Sequence, residues 1–184
     1  MVTIVEGAKR VFQGIRFDIY QREQKQFDGS YRTFECVKRF DSVQGVLIDW
    51  DKICIPEEIQ PWWNTKKIWL WWWVLEVWEE PIDAMRREFL EETWFSADIS
   101  YRTNIWSDGY VKRDEHFFFL KNSKKITEPV RESWESITLK YFSFDEFIQV
   151  VSDVKFRNRF FADYIIRTYI LPGKLHELQS LLFM

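Results

Sequence analysis

Apolar and polar residues alternate with a period of two over Phe17-Asp-Ile-Tyr-Gln and Arg32-Thr-Phe-Glu-Cys-Val, and Phe27-Asp28-Gly29-Ser30 between them carries Asp-Gly hairpin chemistry. This predicts a small antiparallel β-subdomain over residues 1–40, with the main domain over 41–184. A second strand pair, Ser42 to Ile48 and Lys52 to Pro56, brackets the turn Asp49-Trp50-Asp51. Residues 57–67 are polar and carry Pro61 and Asn64, which reads as a loop into a strand Ile68-Trp69-Leu70. After Pro81 the pattern changes period: Ile82, Met85 and Phe89 stand three and four apart, predicting a helix over 82–93 with these as its buried stripe. Further strands are expected around Ile99 to Thr103, Glu115 to Leu120 and Ser136 to Phe142, with turns at Ser107-Asp-Gly and Lys121-Asn-Ser-Lys. Two closing helices follow, Phe144 to Val151 and Phe156 to Ile170, the second stopped by Pro172-Gly173 before an amphipathic or frayed tail. Strands on both sides of a helix imply an α+β layered sheet.

Composition narrows this picture little. With 184 residues and 46% apolar side chains the chain can bury the core of one ordinary domain. A net charge of -3 without runs of like charge nominates neither nucleic acid nor anionic lipid as partner. The apolar run Ile68 to Val77 is too short to span a bilayer and contains Glu76. Cys36 and Cys54 lack metal-ligand spacing, and no basic-then-apolar leader opens the chain, so a reduced cytoplasm is expected. His116, inside an apolar strand, and His176, in the tail, read as structural, and Phe117-Phe-Phe and Phe160-Phe161 read as core.

Chemistry enters with the helix over 82–93. Glu88, Glu91 and Glu92 lie within one turn on one face and would repel one another. A hard divalent cation, Mg2+ or Mn2+, would turn that repulsion into coordination. Taken alone, the same residues also describe a solvated helical face neutralised by Arg86 and Arg87. The longer pattern separates these readings. Trp73 to Phe95, W-x5-E-x7-R-E-F-L-E-E-T-W-F, resembles the Nudix signature G-x5-E-x7-R-E-U-x-E-E-x-G-U, in which U is a bulky apolar residue. Seven of the nine defined positions match.

That resemblance implies a Nudix α/β/α sandwich with a mixed sheet, and hydrolysis of a nucleoside diphosphate linkage by metal-activated water. It places the metal on Glu88, Glu91, Glu92 and the backbone carbonyl of Trp72, and pairs Glu79 with Arg87 to fix the helix against the preceding loop. The stretches Gln13 to Tyr20 and Phe27 to Arg39 resemble the N-terminal subdomain of ADP-ribose pyrophosphatases, which implies a homodimer and assigns Glu35 to the adenine side of the substrate. Gln60 stands where those enzymes often carry a phosphate-binding arginine. In the loop 127–135, Glu135 is preferred over Glu132 and Glu128 as general base or extra ligand. The substrate implied is ADP-ribose or another nucleotide sugar. Two alternatives stand beside it: a catalytically silent Nudix-fold binding or scaffold protein, and a Nudix hydrolase of a non-sugar nucleotide.

Both mismatches to the signature are glycines replaced by tryptophan, Trp73 and Trp94. Trp72 and Trp78 also match family glycines, and Trp50, Trp62, Trp63 and Trp134 fall in turn or loop sequence where glycine is favoured. Trp71 extends the series, whereas Trp69 and Trp106 read as tryptophan proper. The chain has 11 Trp and only 6 Gly, where ordinary usage gives about 13 Gly. The expectation is that a codon meaning Gly in the source organism is decoded here as Trp.

Overall fold

The structure is a computed structural model and describes residues 4–59, 65–76, 78–107, 109–126 and 136–184. The outer antiparallel ladder consists of β1 (Lys9–Gln13), β2 (Phe17–Lys25) and β3 (Tyr31–Arg39), the last two in register from Phe17↔Arg39 to Lys25↔Tyr31 around Asp28-Gly29. Gly29 sits at φ +88, a conformation that side chains resist. The main sheet holds β4 (Ser42–Asp49), β5 (Lys52–Ile59), β6 (Lys66–Ile68), β7 (Trp71–Val74), β8 (Phe95–Ser107), β9 (Val111–Lys125) and β10 (Ser136–Phe142). The strands run in the order β1-β2-β3-β9-β4-β5-β10, with β6, β7 and β8 pairing β5, β4 and β9. Strand β9 is parallel to both β3 and β4 and antiparallel to β8, so the sheet is mixed.

Each face of this sheet is covered by helix, which completes an α/β/α sandwich. Alternate residues of β4 serve the two faces. Val43 and Leu47 join Cys54, Phe118, Leu120, Trp71 and Trp73 under helix α1 (Pro81–Thr93). Val46 and Ile48 join Ile53, Ile55, Phe117 and Phe119 under α2 (Phe144–Ser152), α3 (Arg159–Ile165) and α4 (Leu175–Phe183). Gly45 is required where it stands: a Cβ there would meet Leu120 Cδ1 at 2.5 Å and the Met85 side chain at 3.3 Å. Among the described residues no helix is long and apolar enough to cross a membrane.

Several elements depart from the sequence reading. The strand expected at Ile68-Trp69-Leu70 ends at Ile68, and the next begins at Trp71, because the Leu70 N–H leaves the ladder to donate to Asn158 Oδ1 at 2.8 Å. Ile82 is exposed, and the buried stripe of α1 is Ala84, Met85 and Phe89. The turn expected at Lys121-Asn-Ser-Lys is a β-bulge inside β9, where Asn122 adopts φ 54 and the pairing with β8 slips between Ser96 and Asp98. The second closing helix starts only at Arg159 and finishes as a π-turn over Ile166–Ile170. The tail is the ordered helix α4, which buries Leu178 and Leu182. Phe117, Phe118, Phe119 and Phe161 are core, but Phe160 is partly exposed beneath the Arg113 guanidinium, 5.4 Å from its ring centroid.

Candidate active site

Helix α1 opens on Pro81, whose fixed φ and missing N–H suit the first turn, and Asp83 N–H donates to Glu80 O at 2.9 Å. Phe89 meets both indoles of β7 edge-on, 6.0 Å from Trp71 and 6.4 Å from Trp73 between ring centroids. This packing fixes the rotation of the helix about its axis. With Ala84, Met85 and Phe89 on the sheet, Glu88 falls at the margin of the buried face, while Glu91 and Glu92 point outward.

One guanidinium organises the carboxylates. Arg87 Nε and Nη2 donate to the two oxygens of Glu79, each at 2.9 Å, a bidentate pair that spans the loop before the helix. Arg87 Nη1 donates to Glu88 Oε1 at 3.0 Å and to Glu91 Oε2 at 3.3 Å, and Glu76 stands 3.8 Å from Nη2. The expected Glu79–Arg87 contact is thus present, and Glu88 and Glu91 are drawn to the same cation. The hydrogen bond from Arg87 holds the Glu79 carboxyl below its usual range, and the acidic surroundings push Arg87 up. Burial pushes Glu88 up, against the pull of Arg87. A half-buried carboxylate that shares its guanidinium with two other carboxylates is a group that a second cation would stabilise.

The donor set of Glu88, Glu91 and Glu92 is all oxygen, which fits a hard cation such as Mg2+ rather than a thiolate- or imidazole-seeking metal. Among the described residues no three such side chains already converge as a metal cluster. Trp72 lies in β7 opposite Gln44, its backbone part of the β4–β7 ladder. Glu35 lies apart from the helix on β3, where it accepts a 2.6 Å hydrogen bond from Gln21 and lines a cavity of about 560 Å³ with Thr33, Phe34 and Tyr110. Gln60, Glu128, Glu132 and Glu135, with Trp62, Trp63 and Trp134, lie outside the described residues.

A second polar cluster was not anticipated from the sequence. Glu115, 3% exposed, accepts from Gln44 Nε2 at 2.8 Å and is bound by Arg113. Gln44 Oε1 in turn accepts from Asn158 Nδ2 at 2.6 Å, and Asn158 Oδ1 receives the Leu70 N–H. This chain of hydrogen bonds crosses from β9 through β4 to the residue that precedes β7. Asn158 occupies the N-cap of α3 without capping it, its side chain being used in this chain instead. Polar Gln44 and Glu115 at inward positions of otherwise apolar strands were the available signal.

No protein-family model and no curated protein sequence matches this chain. Among solved structures, the crystal structure of an ADP compounds hydrolase is similar to it, with a TM-score of 0.72, 15% sequence identity, and coverage of 92% of this chain and 95% of that one. The fold is Nudix-like. At this identity the likeness is one of architecture, and 227 solved chains match this one, so the fold alone selects no substrate.

Proposed function

We propose that this protein hydrolyses the pyrophosphate bond of ADP-ribose or a related nucleoside diphosphate sugar, giving a nucleoside monophosphate and a sugar phosphate. The observation that carries the reading is Arg87, bidentate on Glu79 and shared with Glu88 and Glu91, which builds a rigid carboxylate face on α1. The name of the structurally similar ADP compounds hydrolase supports the same class of linkage.

In this reading Glu88, Glu91 and Glu92, with the Trp72 carbonyl, would hold Mg2+ or Mn2+. Such an ion, when bound, neutralises phosphate charge and lowers the pKa of the attacking water. The chain supplies the rest. Glu79 fixes the Arg87 guanidinium, and Arg87 limits the rotamers of Glu88 and Glu91. Glu135 takes the water proton, Glu35 reads the adenine side, and Gln60 contributes polar contacts to the substrate. The new P–O bond comes from water, and the bridging oxygen departs on the other phosphate.

The exposed apolar side chains of the outer ladder, Val11, Phe12, Phe17 and Phe34, suit a second copy of this chain. Light scattering at micromolar protein should give twice the monomer mass; monomer alone contradicts this part of the reading. Trp78, almost fully exposed beside Glu79, favours a second reading in which the tryptophan form folds but is catalytically silent. Incubation with Mg2+ and a panel of ADP-ribose, GDP-mannose, a dinucleoside polyphosphate and an oxidised nucleoside triphosphate separates these cases. The expected result is monophosphate release from a nucleotide sugar, and release only from a non-sugar nucleotide would move the substrate class.

A further inference from the structure

Among the described residues four non-glycine positions have a left-handed backbone: Trp50 at φ 55, Trp78 at φ 74, Trp94 at φ 59 and Asn122 at φ 54. Asparagine tolerates this region because its short side chain bonds locally, whereas a bulky side chain there is a genuine outlier. Tryptophan is 11 of 184 residues, yet it fills three of the four positions.

Each of the three has a backbone task that belongs to glycine. Trp50 is the first residue of the two-residue connection between Asp49 and Lys52, which pair across the β4–β5 hairpin, and positive φ at that place is the usual glycine position. Trp78 is the third residue of the turn closed by Glu79 N–H on Glu76 O at 3.3 Å, where positive φ again calls for glycine. Trp94 ends α1, its N–H donating to Leu90 O at 2.8 Å in a left-handed C-cap. Trp50 and Trp78 are 93% and 90% exposed, so no packing of their indoles compensates the strained backbone.

Trp69 is the contrast: its backbone is not left-handed, and its ring carries the Arg157 guanidinium 4.2 Å from the centroid.

We infer that positions 50, 78 and 94 are glycine sites, filled by glycine in the protein as its source cell makes it. One codon is read there as glycine and stands as tryptophan in this sequence, and position 69 is not among these sites. The inference rests on backbone angles and is independent of the proposed catalysis. It bears on that site all the same, because glycine removes indoles from both flanks of the carboxylate helix.

Two measurements decide it. Peptide mass mapping of the protein purified from its source cells should find glycine at 50, 78 and 94; tryptophan at any of them overturns the inference. In recombinant protein the triple variant Trp50→Gly/Trp78→Gly/Trp94→Gly should raise Tm by roughly 5 °C or more, while Trp69→Gly lowers it. A triple variant that melts at or below the parent, or a rise with Trp69→Gly as well, would contradict it.

Discussion

The Glu79–Arg87 pair offers the most informative perturbation of the candidate site. Its side chains are 16% and 30% exposed, between the regimes of a surface ion pair and a buried one. Exposed pairs contribute about 0–1 kcal/mol, and removing one partner of a fully buried pair costs about 3–5 kcal/mol. Two parallel charge-assisted hydrogen bonds, discounted for solvent screening at Arg87, place the coupling at about 2 kcal/mol. A double-mutant cycle with Glu79→Gln and Arg87→Met, read by urea unfolding, isolates that coupling from the contacts of Arg87 with Glu88 and Glu91. The acid side supplies a second readout. The Glu79 carboxyl is held below its ordinary value of 4.5 by the Arg87 hydrogen bond, so its stabilisation is present above pH 4.5 and is lost as pH falls through the folded-state value. Glu79→Gln should remove that part of the acid-side loss. A coupling below about 0.5 kcal/mol, together with an unchanged acid slope, would refute the view that this pair clamps the loop to α1.

Three further outcomes are expected. Asn158→Ala strips the acceptor from the Leu70 N–H and the donor from Gln44, and should cost about 2 kcal/mol, seen as a Tm lower by about 4–8 °C. Burial raises the Glu115 carboxyl above its ordinary 4.5 despite Arg113 and Gln44, so its share of stability is held below pH 4.5 and is lost as pH rises through the folded-state value. Glu115→Gln should therefore flatten the stability profile on that rising side, as read from urea midpoints across pH. Ser143→Ala removes the side-chain half of the α2 capping box, in which Glu146 N–H donates to Ser143 Oγ at 3.4 Å and the Ser143 hydroxyl donates to Glu146 Oε2 at 2.8 Å, and should cost about 1 kcal/mol by the same unfolding assay.

Period-two alternation located the strand cores because each strand lies half in a packed face, and Asp28-Gly29 located its hairpin because the turn demands positive φ. The signature was legible as a linear pattern because Glu79 and Arg87 must meet across one loop and one helical turn, as they do at 2.9 Å. Where periodicity misled, tertiary contacts decided. Ile82 fits the helical period but Ala84 takes the place against the sheet, and this rotation half-buries Glu88. The polar run at Lys121 to Lys124 looked like a turn, yet a single left-handed Asn122 absorbs the irregularity as a bulge within a 15-residue strand. The Gln44–Glu115–Asn158 chain was invisible because its members lie 71 and 114 residues apart. Trp50 stands out from its turn context and Trp78 and Trp94 from the signature they depart from, and their left-handed backbone angles give that reading a physical basis.

A cation-dependent pyrophosphatase site on α1 makes product formation depend on both the ion and Glu92. A protein with glycine at positions 72, 73, 78 and 94 is incubated with ADP-ribose in water enriched in oxygen-18, with Mg2+ or with chelator, beside the same protein carrying Glu92→Gln. AMP and a sugar phosphate are expected, one of the two carrying a single oxygen-18 from water, formed with Mg2+ only and slowed about 100-fold or more by Glu92→Gln. Product formation that ignores both the chelator and Glu92→Gln, or no product from the tryptophan form and the glycine form alike, would contradict it.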